Sequence, residues 1–317
     1  MNNKVHVIVN PFSARGRTGR RWETIKEAIR SHFREFKYSF TEKPRQATEM
    51  ARQLLGDGFD LLIGVGGDGT LNEISSGFFH PRSGRAINDE AAVGIIPSGT
   101  GSDFIRFMKV PGDFEKSAAR IKNARNRRID MGRITYGGAA AETRSQHFIN
   151  VADFGLGAEV IRNVASVGPS RRGALTYYRG LLSTIMKYRS KRVRLSVDGG
   201  PARTGEYLIG AVANGRIFGG GMVIAPHAEP DDGWLDLVLV EPMGRLEIVA
   251  NSGRLYSGTI ARHPKVHMIR AKTVRVESVA GPAGEPSAEI GVEYDGEVGG
   301  TLPAEFAVVE KALNFRV

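Results

Sequence analysis

Cysteine is absent from this 317-residue chain. No disulfide, thiolate metal centre or cysteine nucleophile can be built from it, a composition that fits a reducing compartment. Long apolar runs are missing too, so no helix of membrane-spanning length is expected. The opening Met1-Asn-Asn-Lys-Val-His-Val-Ile-Val-Asn10 carries too short an apolar stretch for a secretion leader, and its alternation reads as a strand. The cytoplasm is therefore the expected location. Three motifs are lacking as well: without G-x-x-x-x-G-K-[ST] this is not a P-loop protein, and without G-x-S-x-G or H-E-x-x-H an α/β-hydrolase and a zinc protease are disfavoured. His263 and His267 are four apart, but Pro264 lies between them, and they read as ordinary surface or strand residues.

Acidic charge is in short supply. Lys and Arg number 44 against 34 Asp and Glu, a net charge of +10. Such a balance suits a phosphate-bearing substrate, anionic lipid or nucleic acid. The excess is clustered: residues 15–37 hold eight basic side chains against three acids, and residues 162–194 hold nine and no acid. Neither run carries the glycine–aromatic signature of an RNA-recognition domain or zinc-finger spacing, so nucleic acid is the weakest of the three partners. A helix over 175–188, apolar at Leu175, Tyr178, Leu181, Leu182, Ile185 and Met186, lies in the second run. It suits either an anionic membrane surface or packing against its own domain.

The length allows two domains with sizeable cores. Up to about residue 128, strand and helix patterns alternate: strands over 5–9, 37–40, 61–65 and 93–96, helices over 20–36, 45–55, from 72 and from 102. This predicts a mostly parallel sheet covered by helices. Beyond residue 129 short strands dominate, at 129–134, 147–151, 193–197, 207–214, 235–240, 273–278 and 289–294, which predicts an antiparallel β domain. Residues 281–286 read as an exposed Gly/Pro loop.

Chemistry gathers at the turns. Gly66-Gly-Asp-Gly-Thr-Leu-Asn-Glu73 follows the apolar run 60–65, and Pro97-Ser-Gly-Thr-Gly101 follows the next strand. Glycines there can let backbone N–H groups converge on an anion. Asp68 inside the first loop makes sense with a cation between it and a phosphate. Asn10-Pro-Phe-Ser-Ala-Arg-Gly-Arg-Thr-Gly19 follows the first strand and brings Arg15, Arg17 and Arg20. In a parallel sheet all three loops leave the same carboxyl edge, where ligands bind. Each loop alone is also what a plain strand-to-helix turn looks like. Gly64-Val-Gly-Gly-Asp-Gly69 fits the dinucleotide pattern, but it does not follow the first strand and its carboxylate opposes a bare pyrophosphate. In the second half, Asp231, Asp232 and Asp236 surround a glycine turn, an oxygen set that suits Mg²⁺ or Ca²⁺ and equally a solvated hairpin. Asp295-Gly-Glu297 reads as a hairpin turn whose aspartate, facing a cleft, could accept a proton from an alcohol.

Taken together, Asn10-Pro-x-Ser13, the 66–73 loop, Ile96-Pro-Ser-Gly-Thr-Gly-Ser-Asp-Phe104, Asn214-Gly-Arg-x-Phe-Gly-Gly-Gly221, Asp232-Gly-x-Leu-Asp236 and Asp295-Gly-Glu297 resemble the bacterial diacylglycerol-kinase-like (YegS/DgkB-like) lipid kinases over nearly the whole chain. These share a catalytic domain with eukaryotic diacylglycerol and sphingosine kinases. The resemblance implies an ATP-dependent kinase that phosphorylates a lipid hydroxyl. It implies an α/β nucleotide-binding domain of the NAD kinase/diacylglycerol kinase type over 1–128, with 302–317 returning to it. A C-terminal antiparallel β-sandwich for the lipid over 129–301, and a cleft between the domains, are also implied. Carried over by position, Asn10, Pro11, Phe12, Ser13, Ala14, Thr41, Gly66, Gly67, Asp68, Gly69, Thr70, Leu71, Asn72 and Thr100 would line ATP. Asp295 would be the general base, with Arg15 and Arg20 assisting at the phosphates. A structural Mg²⁺ would sit on Asp232, with Glu229 and Trp234 contributing backbone oxygens. Where many relatives have Ser-Gly-Lys this chain has Ser13-Ala14-Arg15, which keeps the charge but changes its reach and geometry. The implied partners are a lipid alcohol and an anionic membrane at its inner face, with no nucleic acid. A homodimer, a soluble acceptor and a non-catalytic nucleotide- or membrane-binding regulator stay open.

Overall fold

The structure, a computed structural model, describes residues 4–81, 83–99, 102–137, 143–166, 184–185, 187–280 and 289–317. It divides into two compact units: Met1–Met131 with Glu310–Val317, and Gly132–Val309. The loop expected at 281–286 and most of the helix expected at 175–188 lie outside the described residues.

The first unit begins with β1 (Val5–Val9), α1 (Ser13–Arg20), α2 (Trp22–Arg30), β2 (Lys37–Phe40) and α3 (Gln46–Gly56). It continues with β3 (Leu61–Gly66), α4 (Asp68–Ser76), β4 (Ala92–Pro97), α5 (Asp103–Phe107) and α6 (Phe114–Asn123). The strands run parallel in the order β2–β1–β3–β4. Both faces of such a sheet are covered, which is why β1 and β3 are apolar runs buried along their whole length. Trp22, Ile25 and Ile29 of α2 and Phe114, Ala118 and Ile121 of α6 pack with Val5, Val7, Val9 and Ile63 in one core. Each fully buried side chain of this size contributes roughly 1.5–3 kcal/mol. Helix α2 stops at Arg30, short of the expected 36, because the His32 N–H reaches back only to the Ile29 carbonyl (3.1 Å) in a tighter turn. Helix α6 went unforeseen, although Asp113 caps it by accepting the Lys116 N–H (2.9 Å).

The second unit is built from β5 (Arg127–Tyr136), β6 (Arg144–Phe148), β7 (Val151–Gly155), α7 (Leu156–Ser166), β8 (Lys191–Val197), β9 (Arg203–Tyr207) and β10 (Ile209–Ala213). The short β11 (Ile217–Phe218) and β12 (Met222–Val223) follow, then β13 (Leu235–Val240), α8 (Arg245–Tyr256), β14 (Val266–Ala271), β15 (Thr273–Ser278), β16 (Gly291–Tyr294), β17 (Glu297–Thr301) and β18 (Ala304–Phe315). Strands β5 and β18 contribute residues to both units. One antiparallel sheet has the order β14–β13–β10–β7–β16–β17; another runs β18–β15–β8–β9, with β5 and β6 paired beside it. Side chains of both sheets form a shared core that includes Phe148, Phe154, Leu235, Leu237, Val274 and Phe306. Successive residues of a strand face opposite ways, so Val238 and Val240 of β13 enter a second core with Leu156 and Val160 of α7. The architecture is thus an α/β nucleotide-binding-type unit and an antiparallel β-sandwich. At the far end of β18, Asn314 and Phe315 pair with β4 in the first unit, where Phe315 packs against Phe104 (ring centroids 6.2 Å apart). Among the described residues no helix is long and apolar enough to cross a membrane.

Candidate functional site

Three loops leave the carboxyl ends of β1, β3 and β4, and hydrogen bonds tie them together. After β1 the chain makes a left-handed turn at Ala14, Arg15 and Gly16 (φ 50°, 59° and 78°). This turn brings the buried Thr18 hydroxyl onto the Ser98 carbonyl (2.7 Å), with the Ser98 hydroxyl 2.8 Å from the same Thr18 oxygen. The Ser13 hydroxyl reaches that carbonyl as well (3.1 Å). Asn10 spans to the middle loop, donating Nδ2–H to Thr70 Oγ1 (3.2 Å), while its Oδ1 accepts the Phe12 N–H (3.1 Å). The first loop is thereby pinned to both others.

The middle loop enters α4. A methyl group on Gly66 would lie 2.3 Å from Thr70 Oγ1, so the approach of helix to strand requires glycine there. A methyl on Gly69 would meet nothing within 4 Å, leaving open space over the first turn of α4. The first N–H groups of a helix have no partner within it, and with the helix dipole they favour a phosphate. These features fit a nucleotide phosphate chain.

Asp68 departs from expectation. Instead of facing the glycine cradle, its carboxylate accepts the N–H groups of Phe104 and Ile105 (3.1 Å each) and so caps α5 from the neighbouring loop. Burial is the main influence raising its pKa; those N–H groups oppose it, and the nearby Asp103 charge adds to the rise. A half-buried carboxylate beside a second one is relieved by a cation, a chemistry that suits Mg²⁺. Asp103 was not singled out from the sequence, nor was Thr18. The available signals were an acid opening a helix directly after a glycine loop, and a threonine inside Arg-Gly-Arg-Thr-Gly.

The remaining expected residues divide by exposure. Phe12 is 66% exposed, and Arg15 and Arg20 are exposed, with the Arg20 guanidinium lying over Gly16. Pro11, Ala14 and Gly67 are half-buried along the loops. Thr41 extends β2 through its N–H to the Val9 carbonyl (2.8 Å) and is buried. Leu71 is wholly buried in the core, so only its backbone could serve a ligand. Asn72 is buried one turn into α4, and Glu73 caps α3 by accepting the Ala47 N–H (3.1 Å). Thr100 lies outside the described residues.

In the second unit Asp295 sits at a left-handed position (φ 48°) in the β16–β17 turn. Its carboxylate accepts the N–H groups of Ile149 (2.7 Å), Asn150 (3.0 Å) and Val151 (3.1 Å), and its own N–H donates to the Val151 carbonyl (2.9 Å). These backbone N–H groups fix its orientation. A carboxylate is an acceptor at both oxygens, so Asp295 has the chemistry to take a proton from an alcohol.

The acidic turn at 228–236 departs from the expected ion site. Asp232 Oδ1 accepts the Trp234 N–H (3.0 Å), its Oδ2 pairs with Arg270, and Glu229 pairs with Arg216. Arg270 also lies over the Trp234 ring, 5.2 Å from its centroid. Among the described residues no three Asp, Glu, His or Cys side chains cluster as ligands. The expected ligands are the Asp232 side chain and the backbone oxygens of Glu229 and Trp234, so only the Arg270 pairing bears on them. An ion on Asp232 would have to displace Arg270.

Comparison with known proteins agrees with this geometry. The diacylglycerol kinase catalytic domain matches residues 4–134, and the YegS C-terminal NAD kinase beta sandwich-like domain matches residues 150–317. The chain is similar to the diacylglycerol kinase of Staphylococcus carnosus (strain TM300), 28% identical over 308 residues, 96% of this chain and 92% of that protein. It is similar to the diacylglycerol kinase of Staphylococcus aureus (strain bovine RF122 / ET3-1), 26% identical over 314 residues, 99% and 92%. In fold it resembles a diacylglycerol kinase crystal structure from Bacillus anthracis str. Sterne, with a TM-score of 0.70 at 23% identity covering 99% of this chain and 96% of that one. Yeast NADH kinase shares the fold more distantly, with a TM-score of 0.52 at 13% identity over 99% and 83% of the two chains.

Proposed function

We propose, for a chain that belongs to the family combining a diacylglycerol kinase catalytic domain with a YegS-type C-terminal sandwich and that is an ATP-dependent lipid kinase, that its acceptor is a diacylglycerol-like alcohol. The observation that carries this reading is the pinning of the loops after β1, β3 and β4 at the open first turn of α4. The N–H groups of that turn hold the phosphate chain of ATP, and Asn10, Ser13 and Thr70 shape its bed. Arg15 and Arg20 supply positive charge for the transferring phosphoryl group. Mg²⁺, when bound, neutralises charge on the β- and γ-phosphates, and Asp68 and Asp103 would hold it. Asp295, oriented by the backbone of residues 149–151, accepts the proton of the lipid hydroxyl as its oxygen attacks. The basic residues of 15–37 attract an anionic membrane surface, which concentrates the acceptor.

The test is a panel of detergent-dispersed lipids with Mg²⁺ and ATP labelled on its γ-phosphate. Label is expected in diacylglycerol. Label in a different lipid would replace the acceptor, and label only in soluble alcohols would overturn the reading.

A further inference from the structure

Beneath the Asp295 turn lie two further carboxyl groups that the reaction does not use. Glu293 of β16 and Asp153 of β7 are direct cross-strand partners, 4% and 0% exposed. Glu293 Oε2 accepts the Gly296 N–H (2.9 Å), so it holds the residue next to Asp295. Asp153 Oδ1 accepts the Ala158 N–H (3.0 Å) in the first turn of α7. Its Oδ2 receives no hydrogen bond from a backbone or side-chain N–H and lies where Gly157 would carry a side chain; a methyl there would be 1.8 Å away. The two carboxyl groups are hydrogen-bonded to each other. Ionised carboxylates are acceptors only, so such a bond needs a proton on one of them.

Among the described residues no cation is paired with either carboxyl group. Burial, and after it the charges of Asp153 and Glu159, push the Tyr188 phenol pKa up, so it stays protonated. Asp295 adds negative charge beside Glu293. Arg162 of α7 approaches the backbone at Gly291, while its carboxylate partner is Glu159 (3.8 Å). Two buried negative charges side by side without a cation repel each other, whereas one shared proton removes one charge and makes one hydrogen bond.

We propose that Glu293 and Asp153 share one proton and act as a positioning pair that keys the Asp295 turn into register for phosphoryl transfer. The proposal rests on reading Asp295 as the proton acceptor. Burial raises the pKa of both groups, the Asp153 charge adds to the rise at Glu293, and the hydrogen bond between them opposes the rise at Asp153, so the shared proton is retained near neutrality and lost in alkali. Loss of that proton turns the hydrogen bond into a repulsion that is transmitted through Gly296 to Asp295.

The experiment measures kcat and KM for ATP from pH 6 to 10 on the full chain, with diacylglycerol in mixed micelles. Wild type is compared with E293Q, E293A, D153N and D295N. Glutamine keeps the acceptor for Gly296 and donates to Asp153 without a titrating proton. E293Q should retain most of the neutral-pH kcat and lose the alkaline fall seen in wild type. E293A should lower kcat roughly tenfold or more with KM for ATP unchanged. D153N should also flatten the alkaline limb, which covers the case in which E293A fails to fold. An alkaline limb unchanged in both E293Q and D153N would overturn the proposal, as would wild-type kcat in E293A. An active D295N would instead overturn the reading of Asp295, so the two failures are distinguishable.

Discussion

Both units hold an aspartate carboxylate with backbone N–H groups, but they assemble the surrounding site by opposite means. In the first, Asp68 belongs to a site assembled from three loops of a parallel sheet, joined mainly by side chains: Asn10 to Thr70, Thr18 and Ser13 to Ser98. In the second, Asp295 belongs to a single antiparallel hairpin and is held by three backbone N–H groups of one neighbouring segment. A site held by side chains can be loosened one hydroxyl at a time. A carboxylate held by backbone can be altered only by changing the carboxylate itself or what supports its turn. Graded losses are therefore expected in the first unit and an abrupt one in the second.

The largest expected effect is Asp295→Asn. It keeps one oxygen for the 149–151 amides but cannot take a proton, so kcat should fall by about 10²–10⁴-fold with ATP affinity retained. Equilibrium binding of a fluorescent ATP analogue beside steady-state kinetics checks this. Asp68→Asn, by contrast, should weaken MgATP binding, because it loses charge and one of the α5 amide partners. Equal loss of ATP affinity in both variants would erase the distinction between the units.

Next in size is Gly66→Ala, whose added methyl collides with Thr70. Helix α4 must shift, and the first unit should be destabilised by about 1–3 kcal/mol, read as a lowered urea midpoint. Thr18→Val removes the buried hydroxyl that meets Ser98. It should cost about 1–2 kcal/mol and raise KM for ATP several-fold while leaving saturated kcat close to wild type. A fall in kcat alone would show that the first loop acts on the transition state and not on nucleotide binding.

The smallest expected effect is that of the metal on stability, as opposed to turnover. Removing divalent ions with EDTA should abolish turnover yet leave the melting temperature unchanged, because Arg270 and Arg216 already neutralise the acidic turn of the sandwich. A melting temperature that drops with EDTA and recovers with Mg²⁺ would show that an ion displaces Arg270.

The same contrast explains how much could be read in advance. The parallel sheet announced itself because apolar runs ending in glycine loops are local patterns: β1, β3, β4 and α3 appear within a residue or two of expectation, whereas α4 opens at Asp68, four residues before the expected start at 72. Strands β13 and β15 were legible at their full length for the same reason. Strands β9 and β17 were not, because Arg203–Tyr207 and Glu297–Thr301 have no buried residue. Helix α8 was hidden likewise: none of its residues is buried, and Leu246 is 87% exposed. At the site, residue types were legible but partners were not. Nothing near Asp68 in sequence says that its carboxylate reaches α5, and nothing near Asp232 says that Arg270 answers it across β13 and β14. Distant pairing decides both.

The central claim is tested most directly by transfer of γ-phosphate label from ATP to diacylglycerol by wild-type protein and by Asp295→Asn, with ATP binding measured on the same samples. The account predicts labelled phospholipid from wild type, almost none from the variant, and equal ATP affinity in both. Labelled phospholipid in equal amounts from both proteins, or none from wild type while MgATP is bound, would contradict it.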